Sequence, residues 1–187
     1  MTAQMPDVFF YKNENYSLIG LKGSNMFNPE DYGVYPIMAN TACYRGFVAT
    51  YHITEEQLIL SSLILKSKEE KLKEINGQPA KKEKSIFSFN FLYENINLPI
   101  KYTGFILLGK DFINEMYVHM GYQRPISYET VIEFQFKDGD LVAVNDFSEV
   151  IAKLRKEDPS KDAQPDYDET TMQWIERLFS LDYDLPW

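Results

Sequence analysis

Two short segments hold most of the residues in this chain that could do chemistry. Thr41 to Tyr51 carries Cys43, Tyr44 and Arg45, and Glu115 to Tyr122 carries Glu115, Tyr117, His119 and Tyr122. Between them they contain the only cysteine and one of the two histidines. The planar guanidinium of Arg45 suits a carboxylate or a phosphate, so it could grip an anionic ligand or pair with an internal acid such as Glu115 or Glu133. Read as a strand, the second segment sets Glu115, Tyr117 and His119 in one row. A carboxylate beside an imidazole can move a proton near neutral pH, which makes these three the candidate catalytic residues; the same row could equally brace a sheet through cross-strand hydrogen bonds. Cys43 would need Arg45 to stabilise its thiolate before it could act as a nucleophile, and a buried inert thiol is the plainer reading. Gly46 and Gly121 permit close approach of a backbone or a ligand. Cys43, Tyr44, Arg45 and Tyr122 are therefore the candidate ligand-binding residues, and Arg45, Tyr117, His119 and Tyr122 are expected to converge at one end of a sheet.

Other chemistries find little support. One cysteine and two histidines without HxH or CxxC spacing give no metal motif, and no metal or cofactor is expected. Gly20-Leu21-Lys22-Gly23-Ser24 lacks the helix that a phosphate-binding glycine loop requires. A net charge of −9 argues against nucleic-acid binding. No run approaches the roughly 20 apolar residues of a membrane span, so no membrane partner is expected. The start lacks the pattern of a signal peptide, and the single cysteine suits a reducing compartment; a cytoplasmic protein is the simplest expectation.

The elements that must position these residues are mostly strands. Hydrophobic content of 44% over 187 residues is enough to build one sizeable core. Val8–Tyr11 and Tyr16–Leu21 read as a hairpin, and Asn28 could start a helical turn at Pro29. Tyr44–Ile53 and Gln57–Leu65 read as a second hairpin, with a bulge at Ser61-Ser62. Residues 66–84, with seven lysines and four glutamates, read as a solvated insertion with a short helix over 68–75. The alternation of Phe87, Phe89 and Phe91 marks a strand. Tyr102–Leu108 and Ile113–Met120 would pair around Gly109-Lys110-Asp111. Thr130–Phe136 and Leu141–Val144 form the clearest hairpin, turning at Asp138-Gly139 with Val131, Glu133 and Gln135 on a wet face. Phe147, Val150, Ile151 and Leu154 then share one helical face, capped by Asp146 or Ser148.

Residues 157–187 differ from the rest: nine acids against Lys161 and Arg177 give them a net charge of −7. An acidic linker to Asp168 precedes a second amphipathic segment, capped by Asp168 or Thr170, that carries Trp174 and Leu178 and closes at Trp187. These three are the candidate partner-binding residues. The segment could dock elsewhere, or fold back and cover a strip of its own sheet. The division expected is a β-rich body, 1–156, and an acidic tail, 157–187.

The first segment reads Cys43-Tyr44-Arg45-Gly46-Phe47-Val48-Ala49-Thr50-Tyr51, and the second Tyr117-Val118-His119-Met120-Gly121-Tyr122. Together they resemble a widespread uncharacterised bacterial family of small β-rich proteins with a Cys-Trp-Arg-Gly-Tyr-x-Ala-Thr-Trp strand and a Tyr-Val-His-Met-Gly-Tyr segment. The resemblance spans about residues 8–145 and implies that the two segments belong to one site. Tyr44 and Tyr51 stand where the family usually has tryptophan, and the tail lies outside it.

The expected fold is α+β: a curved, mainly antiparallel sheet of eight to ten strands or a partial barrel, with one packed helix and a short tail helix. The expected function is a non-enzymatic binding module with a docking or regulatory tail and an unidentified protein partner or small anionic ligand. The alternative is a small hydrolase or lyase that holds an anionic metabolite through Arg45 and uses His119 as acid or base.

Overall fold

A computed structural model describes residues 2–23, 26–54, 56–159, 165 and 167–185. Part of the expected linker and the candidate Trp187 therefore lie outside the described residues. The chain is α+β: one curved, unclosed, mostly antiparallel sheet of ten strands, with two helices. The strands are β1 Val8–Tyr11, β2 Glu14–Gly23, β3 Phe47–Ile53, β4 Leu58–Leu65, β5 Lys81–Ile86, β6 Phe89–Tyr93, β7 Leu98–Pro99, β8 Gly104–Phe112, β9 Tyr128–Lys137 and β10 Asp140–Asp146. Their order is β10-β9-β8-β2-β1-β3-β4-β6-β5, with β7 also pairing β4. The central β1 runs antiparallel to β2 but parallel to β3.

Turn chemistry fixes the hairpins. Lys12 and Asn13 both take positive φ between β1 and β2, as do Asp138 and Gly139 between β9 and β10, which is what a two-residue turn matched to strand twist demands. Ser61 is the extra residue where Thr50 pairs with Ser62 and Tyr51 with Leu60, and its hydroxyl donates to the Thr50 carbonyl at 3.0 Å. The bulge expected there is present. Asn28 accepts from the Glu30 N–H and caps a 3-10 turn at Pro29–Tyr32.

The strand faces sort into two cores. Phe9, Tyr51, Tyr93, Phe91, Phe134 and Phe136 belong to the main one, on one face of the sheet. Ile19, Leu107, Val131 and Ile126 make a smaller core on the other face, under the helix α1 (Ser148–Glu157) and the tail residues Tyr183 and Leu185. Ile151 is the buried face of α1, as its periodicity predicts. The second helix, α2 (Thr171–Phe179), begins with a capping box in which Thr170 and Gln173 satisfy each other's backbone donors.

Several expectations are corrected. Residues 113–127 form no strand; a 3-10 turn at Asn114–Met116 and a loop replace it, because β8 runs straight on through Gly109 and pairs with β9 instead. Tyr44 to Gly46 is a turn, and the strand starts at Phe47. No helix forms over 68–75; Leu72 and Ile75 reach into the main core, and Tyr93 Oη donates to the Lys73 carbonyl at 2.6 Å. Phe87 sits with Ser88 at positive φ in the turn between β5 and β6 and is exposed, so only Phe89 and Phe91 keep the alternation. The Val131/Glu133 face is covered rather than wet.

Candidate functional site

The first motif builds its site as a turn, because Gly46 cannot carry a side chain: its φ is 79° and a Cβ would run into the Ile37 backbone. The turn swings Arg45 towards Asp7, the residue that leads into β1. Arg45 Nη1 donates to Asp7 Oδ2 at 2.9 Å and Nη2 to Oδ1 at 2.5 Å, a bidentate pair. Asp7 Oδ1 also accepts from the Ala49 N–H at 2.7 Å, so one carboxylate ties turn, β1 and β3 together. Asp7 is buried, and the Arg45 guanidinium lies 4.7 Å from the centre of the Phe47 ring. Burial works against the charged guanidinium, but the Asp7 carboxylate outweighs it and holds the Arg45 pKa above its usual value. Arg45 Nε is buried and finds no acceptor among the described residues. The partner expected for Arg45 was Glu115 or Glu133; the acid it meets is Asp7, which no sequence pattern singles out.

The second motif reaches the same place through the N-terminal segment. Ala3 bridges Gly121, the Gln4 N–H donates to the Gly121 carbonyl at 2.8 Å, and the Met5 N–H donates to the Ala42 carbonyl at 2.7 Å. Residues 3–7 thus lie between the two motif loops. Tyr122, half-buried, comes close enough to Arg45 and Cys43 to interact with both electrostatically. Burial raises the Tyr122 pKa, and Arg45 opposes the rise. Cys43 is buried and donates its thiol to the Phe47 carbonyl at 3.3 Å; burial pushes the thiol up despite Arg45, which favours the inert form. Tyr44 is exposed, with its ring 6.1 Å from Phe179 at the end of α2.

No hydrogen bond or ring contact joins Glu115, Tyr117 or His119 to Arg45 or Asp7 among the described residues. Glu115, Tyr117 and His119 are exposed on the 113–127 loop. The Tyr117 and His119 rings touch edge to face at 5.0 Å, and no hydrogen bond joins either ring to Glu115 among the described residues. Gln123 holds that loop by bonding both the N–H and the carbonyl of Val118. Leu178 is buried against the body, and its carbonyl accepts from the Tyr122 N–H at 2.8 Å. Trp174 is half-buried, with Nε1 lacking an acceptor among the described residues. Among the described residues no group of three or more His, Cys, Asp or Glu is placed to hold a metal ion, and no helix is long and apolar enough to cross a membrane.

A cleft of about 320 Å³ opens beside the Arg45–Asp7 pair. Its apolar walls include Met26, Phe27, Phe47, Leu18 and Leu21, and the tail residue Leu181 completes them. The cleft follows from the shortness of β1: its register covers only residues 14–17 of β2, so beyond Ser17 the strands β2 and β3 are not bridged by it. The Leu18 N–H there donates to the Asp7 carbonyl, and the Leu21 N–H donates to Leu181. Comparison with protein-family models, with curated proteins and with solved structures finds no match.

Proposed function

We propose that this protein is a non-enzymatic binding module whose ligand site is the cleft beside Arg45 and Asp7. The observation that carries the reading is the composition of that cleft. It combines a charged pair of buried Asp7 and half-buried Arg45 at one wall, a predominantly apolar lining, and one residue, Leu181, supplied by the acidic tail. Ligand sites commonly pair apolar walls with a few polar groups that fix orientation. The volume is at the small end of the usual range, so the ligand is a small amphipathic molecule. Its apolar part lies against Met26, Phe27 and Leu181, and its polar end approaches the guanidinium edge. Because Asp7 already occupies the fork and cancels the charge, an acceptor such as an amide or carboxylate oxygen takes the remaining donors and does not displace Asp7. The tail serves as a regulatory wall, since moving it opens one side of the cleft.

The alternative, a hydrolase or lyase acting on an anionic metabolite, rests on the Tyr117–His119 contact. It is the weaker reading, because those rings are exposed to solvent and general acid–base catalysis gains from a group held in a concave site. Titration calorimetry of the full chain with matched small amides and carboxylates distinguishes the two. The binding module predicts saturable binding that His119→Gln leaves intact and Phe27→Ala weakens at least tenfold. Turnover of any of these compounds that depends on His119 would overturn it.

A further inference from the structure

The last described stretch of the tail is held like a bound ligand. From Leu181 to Leu185 its burial alternates: Leu181, Tyr183 and Leu185 face the body, while Asp182 and Asp184 face solvent. That is the period of an extended strand. The Leu21 N–H on β2 donates to the Leu181 carbonyl at 2.7 Å, a backbone bond at the stretch of β2 that β1 leaves uncovered. The Tyr183 ring lies on Gly20, where a Cβ would collide with it, so the floor of this subsite exists only because residue 20 has no side chain. Tyr183 Oη donates to Glu133 Oε2 at 2.7 Å, and both groups are buried. Lys22 closes the subsite from above, its ammonium 4.6 Å from the centre of the Tyr183 ring and 3.4 Å from Asp184. Upstream, a Cβ on Gly121 would strike the Leu178 backbone, whose carbonyl bonds Tyr122.

The surface beneath the tail therefore has the parts of a peptide-recognition groove: a backbone donor, a glycine-floored pocket with a buried carboxylate for a tyrosine hydroxyl, and a lysine for an outer acid. Addition of an extended segment to an open strand edge, with alternate side chains entering pockets, is a recurrent mode of peptide recognition. The chain's own segment is tethered through residues in which Asp158, Pro165, Tyr167 and Asp168 are all exposed. A tether of this kind holds its segment at an effective concentration on the order of mM.

We propose that this groove binds an extended segment of a partner protein with the pattern Leu-x-Tyr-acid-Leu, and that residues 181–185 are its resident occupant, displaced when the partner binds. The occupant is set by the groove itself: Glu133 requires a donor such as the tyrosine hydroxyl, Gly20 a flat ring, and Lys22 an acid at the next position. The groove meets the cleft at Leu21 and Leu181, but its tyrosine subsite of Gly20, Glu133 and Lys22 lies outside the cleft, so the inference stands whatever small molecule the cleft takes.

The test uses the full chain and a fluorescent synthetic peptide with the sequence of residues 176–185, read by anisotropy. Tyr183→Ala loosens the resident segment without touching the groove, and circular dichroism checks its fold. It should bind the peptide saturably and at least tenfold more tightly than the unmodified chain. Adding Gly20→Ala should abolish that gain, and a peptide with alanine for its tyrosine should not bind. If Tyr183→Ala does not fold, Leu185→Ser loosens the same segment and is read in the same way. Equal binding to loosened and unmodified chains, binding that survives Gly20→Ala, or no binding to a folded loosened chain would overturn the proposal. Concentration-dependent dimers of the unmodified chain would overturn it in favour of tail exchange between copies.

Discussion

Asp7 ties three parts of the fold together through one residue. Its carboxylate neutralises Arg45 and accepts the Ala49 N–H on β3, and its backbone carbonyl accepts from Leu18 on β2. Asp7 is buried and Arg45 half-buried, so losing the carboxylate removes charge-assisted hydrogen bonds but leaves a guanidinium that water still reaches. Asp7→Asn is therefore expected to lower unfolding stability by about 2 kcal/mol in urea titrations, and a change under about 0.5 kcal/mol would contradict the role given to it. The buried phenols set a separate expectation. Tyr93 and Tyr128 are both pushed up to about 12, chiefly by burial, from the usual phenol value of 10.0. Below about pH 10 folded and unfolded chains keep these protons equally, so their contribution is fully present. Above it the unfolded chain loses them first, and stability falls until the folded-state values near 12 are passed. Urea midpoints should hold level up to about pH 10 and drop steadily beyond it; a level profile through about pH 12 would rule out this linkage.

At the scale of elements, the legible parts were those set by local chemistry. The positive-φ turns at Lys12-Asn13 and Asp138-Gly139, the bulge at Ser61, the cap at Thr170 and the face of α1 all follow from residue type and period. The illegible parts were set by pairings far apart in sequence. Nothing local says that β8 prefers β9 to the segment after it, so Glu115, Tyr117 and His119 read as a strand row although they lie on a loop. The approach of Tyr122 to Arg45 was part of the expected convergence, but Asp7, the residue that holds Arg45, carries no motif. Gly46 marks the difference between the two readings of the first motif. As a strand residue it would tolerate alanine; at φ 79° against the Ile37 backbone it does not. Gly46→Ala should cost several kcal/mol, measured as a drop in Tm of about 10 °C or more for a domain of this size. A drop of about 2 °C or less would return the segment to the strand reading.

The whole molecule is a split sheet with a strap across it. The main core lies on one face of the sheet; the second core exists because α1 and the tail cover the other. The face bearing Glu133 looked wet because its alternation was right and its cover lay some fifty residues downstream in Tyr183. Leu181 belongs to both the strap and the cleft, so the state of the tail and the occupancy of the cleft are coupled through one side chain. Binding in the cleft should then slow amide exchange at Leu21, whose N–H is bonded to Leu181, as well as at residues lining the cleft. The most direct test of the account is an amide-resolved NMR titration of the full chain with the small amides and carboxylates named above. The account predicts that shifts concentrate at Leu21, Phe27, Phe47, Ala49 and Leu181. Shifts concentrated instead at Glu115, Tyr117 and His119 would contradict it and place the working site on the exposed loop.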